Sequence, residues 1–128
     1  MPSEIINVSI GELWDKYTIL LIKKKYIKNK SKLEYVENEL MYLSKNMEKY
    51  SYIDSILFKQ LLDINEQLWK IEDKLRLKES LHEFDSEFIE LARSVYFTND
   101  RRAECKKEIN IKYGSNINEV KEYVEYHN

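Results

Sequence analysis

The stretch LARSVYFTNDRRAECKKEIN, residues 91–110, holds three of the chain's four arginines, Arg93, Arg101 and Arg102. Elsewhere the sequence is rich in Lys, Asn, Ile and Tyr, so Lys serves wherever a plain positive charge suffices. The arginines that remain point to a need for the planar guanidinium fork, which engages a carboxylate or phosphate through two parallel hydrogen bonds. Around them Tyr96, Asn99, Ala103, Lys106 and Asn110 step by three and four residues and share one helix face, with Arg93, Asp100 and Arg102 on its flanks. Upstream, Asn65, Trp69, Glu72 and Arg76 form a second such stripe, with Glu66 and Asp73 beside it. A third group lies in GELWDKYTIL, where Glu12, Asp15 and Lys16 share a face next to Gly11 and Thr18. Carboxylates, arginines and a tryptophan in such windows suit either of two tasks. They can hold an anionic ligand or partner, or they can supply general acid–base groups while Arg93 or Arg102 orients a substrate. A purely structural reading accounts for the same residues. Glu72 with Arg76 is an ordinary i,i+4 pair, acidic groups in a first helical turn suit the macrodipole, and Trp69 and Tyr96 fit a core.

Several chemistries fail on residue supply. A carboxylate di-iron bundle needs two Glu-x-x-His pairs, and the chain has one, Glu79-x-x-His82. The magnesium pattern of all-α nucleotide pyrophosphatases is in the wrong order, because Glu12-x-x-Asp15 precedes Glu34-x-x-Glu37. A helical mutase that holds a diacid between Arg and Lys is a nearer analogy, without a motif that can be placed. No Ser/His/Asp set, Cys/His pair or phosphate-cradling glycine loop is legible. Cys105 is the only cysteine, which excludes an intramolecular disulfide and a Cys-based zinc site and fits a reducing compartment. No cofactor and no metal is implied.

Long helices must position these groups. Two glycines and one proline leave little to punctuate strands or tight turns. The capping box Ser9-x-x-Glu12 opens a first helix whose apolar residues are Ile10, Leu13, Trp14, Tyr17, Leu20, Leu21 and Ile27. A second box, Ser31-x-x-Glu34, opens a helix with the seam Leu33, Val36, Leu40, Leu43, Met47 and Tyr50. Leu57, Leu61, Ile64, Leu68, Ile71 and Leu75 line a third. A bend near 82–86, with Asp85 as N-cap, leads to a fourth helix that stops at Gly114, and Asn116-x-x-Glu119 suggests a short closing helix. Only IINVSI, 5–10, reads as extended. The expected fold is all-α, a single domain over 1–128: an antiparallel bundle of about four helices, two long ones forming a hairpin, with a short C-terminal helix. If the hairpin turns at about residue 84, facing residues have numbers adding to about 168. The arginines then meet carboxylates from the third helix.

A formal net charge of −2 argues against an electrostatic nucleic-acid binder, and the lysines at 23, 24, 25, 28, 30 and 32 read as a solvated helix end. YTILLI is far too short to span a membrane and no signal pattern is legible at the N-terminus, so the expectation is a cytoplasmic protein. Seams on two helices, with Leu62, Tyr35 and Tyr42 beside them, suggest a homodimer.

The segments VSIGELWDKYTIL, NEQLWKIEDKLR and FDSEFIELARSVYFTNDRRAECKKEIN together resemble a small all-α domain-of-unknown-function family of bacteria and some viruses, whose members often sit near genes for surface-polysaccharide assembly. The resemblance runs from about residue 3 to beyond YGS, 113–115, and marks Gly11, Glu12, Asp15, Lys16 and Thr18. It also marks Asn65, Trp69, Glu72, Asp73, Arg93, Tyr96, Asn99, Asp100, Arg102 and Ala103. It implies a location for the site and a glycan or sugar-nucleotide context, without an activity.

Overall fold

A computed structural model describes residues 3–50 and 55–126. Four helices follow in order: α1, Ile10–Tyr26; α2, Lys30–Met47, ending in a short 3-10 turn, Glu48–Tyr50; α3, Ser55–Ser80; and α4, Ser86–Lys112. No strand occurs among the described residues, and the helices pack on one another as the all-α reading expects. The segment IINVSI is non-helical up to Ile10, where α1 begins.

The helix starts show which local signals decide. The backbone N–H of Glu12 donates to Ser9 Oγ at 3.0 Å, so the first capping box is half made. Its other half is missing because the Glu12 carboxylate is used elsewhere. Removing the hydroxyl, Ser9→Ala, is expected to cost about 1 kcal/mol in denaturant unfolding, the usual worth of such a cap. For α2 the expected box at Ser31 is not the start. Asn29 caps instead, accepting from the Lys32 N–H at 3.1 Å, and Ser31 lies inside the helix. Asn is as good a cap as Ser, and it stands where the chain is still extended, at ψ 122°. Asp85 caps α4 as expected, taking the Phe88 N–H at 2.9 Å.

Helix α1 is central. It packs against α2 on one side and against both α3 and α4 on the other, and α3 and α4 run antiparallel as a hairpin that turns at 81–85. The register expected for that hairpin is met where Arg101 donates to Gln67 Oε1 at 2.6 Å. The core gathers Trp14, Met47, Leu57, Leu61, Cys105 and Ile109, with Tyr17, Tyr50, Phe58 and Tyr113 packed against it. Trp14 is fully buried, its ring 5.1 Å from Tyr113 and 6.1 Å from both Tyr50 and Phe58. Its indole N–H finds no acceptor among the described residues.

The expected closing helix does not form. Gly114, at φ +63°, ends α4, and the described residues 114–126 carry no helix. Ser115 Oγ donates to the Ile117 carbonyl at 2.7 Å, and the tail runs back along α4 until Tyr126 packs on Tyr96 and Phe97 at 5.1 and 5.2 Å. The physical reason is that Glu119, which would sit in a helical first turn, is drawn instead to a lysine of α4.

Candidate functional site

Asp15 in the second turn of α1 is 1% exposed, and everything at the site is arranged around its carboxylate. Arg102 of α4 addresses it with both arms of its fork: Nε donates to Oδ1 at 2.8 Å and the second nitrogen to Oδ2. Asn65 of α3 donates to Oδ1 at 3.0 Å, and its amide also lies 2.9 Å from Thr18 Oγ1. The Thr18 hydroxyl donates in turn to the Asp15 carbonyl at 2.8 Å. Three helices thus meet on one buried carboxylate. The Asp15 hydrogen bond pushes the Arg102 pKa further up, so the guanidinium is a permanent cation.

One turn further along α4, Lys106 lies 3.9 Å from Asp15 Oδ2 and is itself buried. Its Nζ donates to Glu12 at 2.7 Å and to Glu119 of the tail at 2.9 Å. Burial lowers its pKa, but the two carboxylates more than offset this and the net shift is upward. Lys106 is a charged ammonium held between α1 and the tail. Its hydrogen bond to Glu119 holds that carboxyl below the usual glutamate range, with Lys121 contributing at 3.2 Å.

Helices α1 and α4 come this close because of Gly11. A Cβ built on it would lie 2.6 Å from the Lys106 carbonyl oxygen and 3.0 Å from Asn110 Oδ1. The approach lets the Gly11 N–H donate to Asn110 Oδ1 at 2.6 Å, and the Ile10 N–H donates to Ser115 Oγ at 3.2 Å. Two orphan donors of the α1 N-terminus are satisfied from across the fold rather than by α1 itself.

A cleft of about 200 Å³ opens over this network, lined by Glu12, Arg102, Ala103, Lys106, Glu119 and Lys121. It continues into a larger trough of about 750 Å³ between α4 and the tail, where Asp100, Lys107 and Tyr123 join the lining. Arg102 keeps 29% of its side chain exposed and lines the cleft, while Nε and one terminal nitrogen are spent on Asp15.

The expected residues therefore divide. Glu12, Asp15, Asn65, Arg102 and Lys106 come together, and Asn99 and Asp100 lie half-buried one turn along α4. The remaining candidates do not join them. Glu72, Asp73 and Arg93 are exposed on the part of the hairpin that extends beyond α1, and Arg93 lies over the Phe97 ring at 5.9 Å. Trp69 stacks on Tyr26 at 5.8 Å, and the Tyr26 hydroxyl donates to Glu66 at 3.0 Å. Lys16 points to the other side of α1 and pairs with Glu39 of α2 at 2.9 Å. Tyr96 packs on the tail. The carboxylate that meets an arginine is thus supplied by α1 and not by α3, because α1 lies in the groove of the hairpin where the two polar stripes were expected to face each other. Asn110 was legible as a member of the α4 stripe, but nothing marked Ser115 for the site and Glu119 read only as part of a helix start, since their roles depend on how the tail turns after Gly114.

Burial pushes the Cys105 thiol up to about 11, and Sγ lies 3.7 Å from the Leu57 carbonyl. The native protein is accordingly expected to react with a thiol-specific reagent at pH 8 far more slowly than the unfolded chain, a ratio read directly by absorbance. Among the described residues no group of three or more His, Cys, Asp or Glu is placed to hold a metal ion, and no helix is long and apolar enough to cross a membrane. No family model, curated protein or solved structure matches the chain.

Proposed function

We propose that this protein is a binding module that takes an anionic group, a carboxylate or phosphate of a ligand or partner, into the cleft where Arg102 and Lys106 emerge between α1 and α4. The observation that carries the reading is the position of Glu119. A carboxylate from a segment without regular structure already occupies the mouth, 2.9 Å from a buried ammonium and beside the part-exposed Arg102 side chain. An incoming anion would take the same place. The resemblance to a family found near polysaccharide genes makes sugar nucleotides and small diacids the first ligands to try, and a cytoplasmic location suits them. The buried Asp15–Asn65–Thr18 set supports a structural role for the inner half of the network. The part-exposed side chain of Arg102 favours binding at the outer half.

The test is calorimetric titration of phosphate, nucleoside diphosphates, sugar nucleotides and dicarboxylates into the parent and into Glu119→Gln. Weakening the resident carboxylate should tighten binding several-fold, and Lys106→Met should abolish it. Absence of binding at millimolar anion in both the parent and Glu119→Gln disposes of the proposal.

The same clamp sets a pH dependence. Glu119 has its folded-state pKa depressed, so its contribution is complete above the ordinary carboxylate range and is lost as pH falls through the lowered value. Carbon-detected NMR should show its carboxyl titrating below about 4.3, the ordinary glutamate value, with tail amide shifts following it. A midpoint at or above that value excludes the clamp in solution.

We also propose that the chain self-associates, as its uncovered apolar side chains support. Tyr35 and Tyr42 on α2 are exposed, as are Leu77, Leu81 and Phe84 about the hairpin turn.

A further inference from the structure

Helix α1 ends at the level of Glu66 and Trp69, where Lys25 pairs with Glu66 and Tyr26 stacks on Trp69. Beyond that point α3 runs on to Ser80 and α4 returns from Ser86, a hairpin projecting about 16 Å past α1 at 1.5 Å per residue. Between Trp69 and Phe97 not one residue is buried. The sequence is nevertheless built for burial there. Leu75 continues the row of Leu61 and Leu68 at seven-residue intervals, and Val95 and Phe88 continue the row of Arg102. All three are only half-buried, as are Ile71, Leu91 and Ala92. The groove that α1 fills nearer the core thus goes on, empty and apolar, to the tip. A bare two-helix hairpin draws little stability from its own propensity and needs its apolar face covered.

The charge pattern says what fits. The tip, 79–92, carries Glu79, Glu83, Asp85, Glu87 and Glu90 with no Lys or Arg; at its edges Lys78 lies 3.5, 2.9 and 3.4 Å from Glu83, Asp85 and Glu87 and exposed Arg93 follows Ala92, which leaves the tip acidic on balance. The other end of the empty groove abuts the α1–α2 turn, whose Lys23, Lys24, Lys25, Lys28, Lys30 and Lys32 form a basic shoulder. The chain carries a groove, a tip of one sign and a shoulder of the other.

We infer that the empty groove is filled by the same hairpin of a second copy, laid antiparallel about a two-fold axis, so that each acidic tip rests on the other copy's lysine shoulder. This rests on the proposed self-association and specifies its surface. The arrangement is isologous: tip meets shoulder twice, the grooves close over each other's Leu75, Phe88, Ala92 and Val95, and a four-helix cross-section replaces two bare hairpins. Leu81 and Phe84, 57% and 56% exposed at the tip, then lie against the partner's end of α1.

The experiment is sedimentation velocity of the full chain at micromolar concentration, with far-UV circular dichroism to confirm folding. The parent should be a dimer that weakens at high salt. Two charge reversals, Glu79→Lys with Glu83→Lys at the tip and Lys24→Glu with Lys28→Glu at the shoulder, should each weaken dimerisation at least tenfold. An equimolar mixture of the two should recover it, because both contacts in the mixed dimer are again of opposite sign. Ala92→Arg, which fills the groove without removing a core side chain, should give a folded monomer. A parent that stays monomeric overturns both this geometry and self-association itself. A dimer indifferent to all three variants, or no recovery on mixing folded partners, overturns the geometry alone and leaves self-association through another face.

Discussion

Asp15→Ala is expected to lower the free energy of unfolding by about 3–5 kcal/mol, the range for breaking a buried ion pair from one side. Its carboxylate accepts from both arms of Arg102 and from Asn65 at 3.0 Å, and Lys106 stands 3.9 Å away. Removal leaves Arg102 half-buried without its partner and strips an acceptor from an amide that is 5% exposed. For a domain of this size the loss amounts to a fall in Tm on the order of 10–20 °C by calorimetry. Arg102→Lys should also destabilise, by less, since an ammonium reaches only one carboxylate oxygen at a time. Arg93→Lys, at an exposed position, should leave Tm nearly unchanged. Because the cost is mostly that of an orphaned charge, replacing the pair together, Asp15→Leu with Arg102→Met, should recover much of the loss. Additive losses in that double variant would show that the two groups are not coupled.

Gly11→Ala should cost about 2–3 kcal/mol, although alanine is the better helix former by about 1 kcal/mol. The added Cβ would sit 2.6 Å from a backbone carbonyl of α4, and backbone cannot rotate away as a side-chain tip can. The helices must separate, which stretches the Gly11–Asn110 hydrogen bond of 2.6 Å and pulls Glu12 from Lys106. A matched control is Gly114→Ala. Its Cβ meets nothing within 4 Å, so only the strain of φ +63° applies, about 1 kcal/mol. If denaturant unfolding shows Gly11→Ala as stable as the parent, the close approach of α1 and α4 is wrong.

Much of the frame was legible because its signals are local. The cap at Asp85, the hairpin turn and its register, and the seams of α2 and α3 each follow from residue types at three- and four-residue spacing. The second cap was misplaced by two residues because Asn29 and Ser31 are equally good in isolation, and only the path of the chain out of α1 chooses between them. The candidate site was legible in membership and not in pairing. Helical spacing puts Arg102 and Lys106 on one stripe and Asp15 and Glu12 on another, but it does not say which stripe meets which.

What the sequence by itself determined is thus the four long helices, the caps at Ser9 and Asp85 and the faces the helices present, since these depend on interactions within a few residues. The tertiary structure decided that α1 rather than the far part of α3 supplies the carboxylate to Arg102. It did so through a contact between residues 87 apart in the chain, made possible by a glycine whose missing Cβ matters only once α4 lies against it. The tail was likewise decided at long range. A local helix signal at Asn116–Glu119 lost to one buried ammonium, because a second charge-assisted hydrogen bond to Lys106, already paired with Glu12, outweighs the little that a short terminal helix gains.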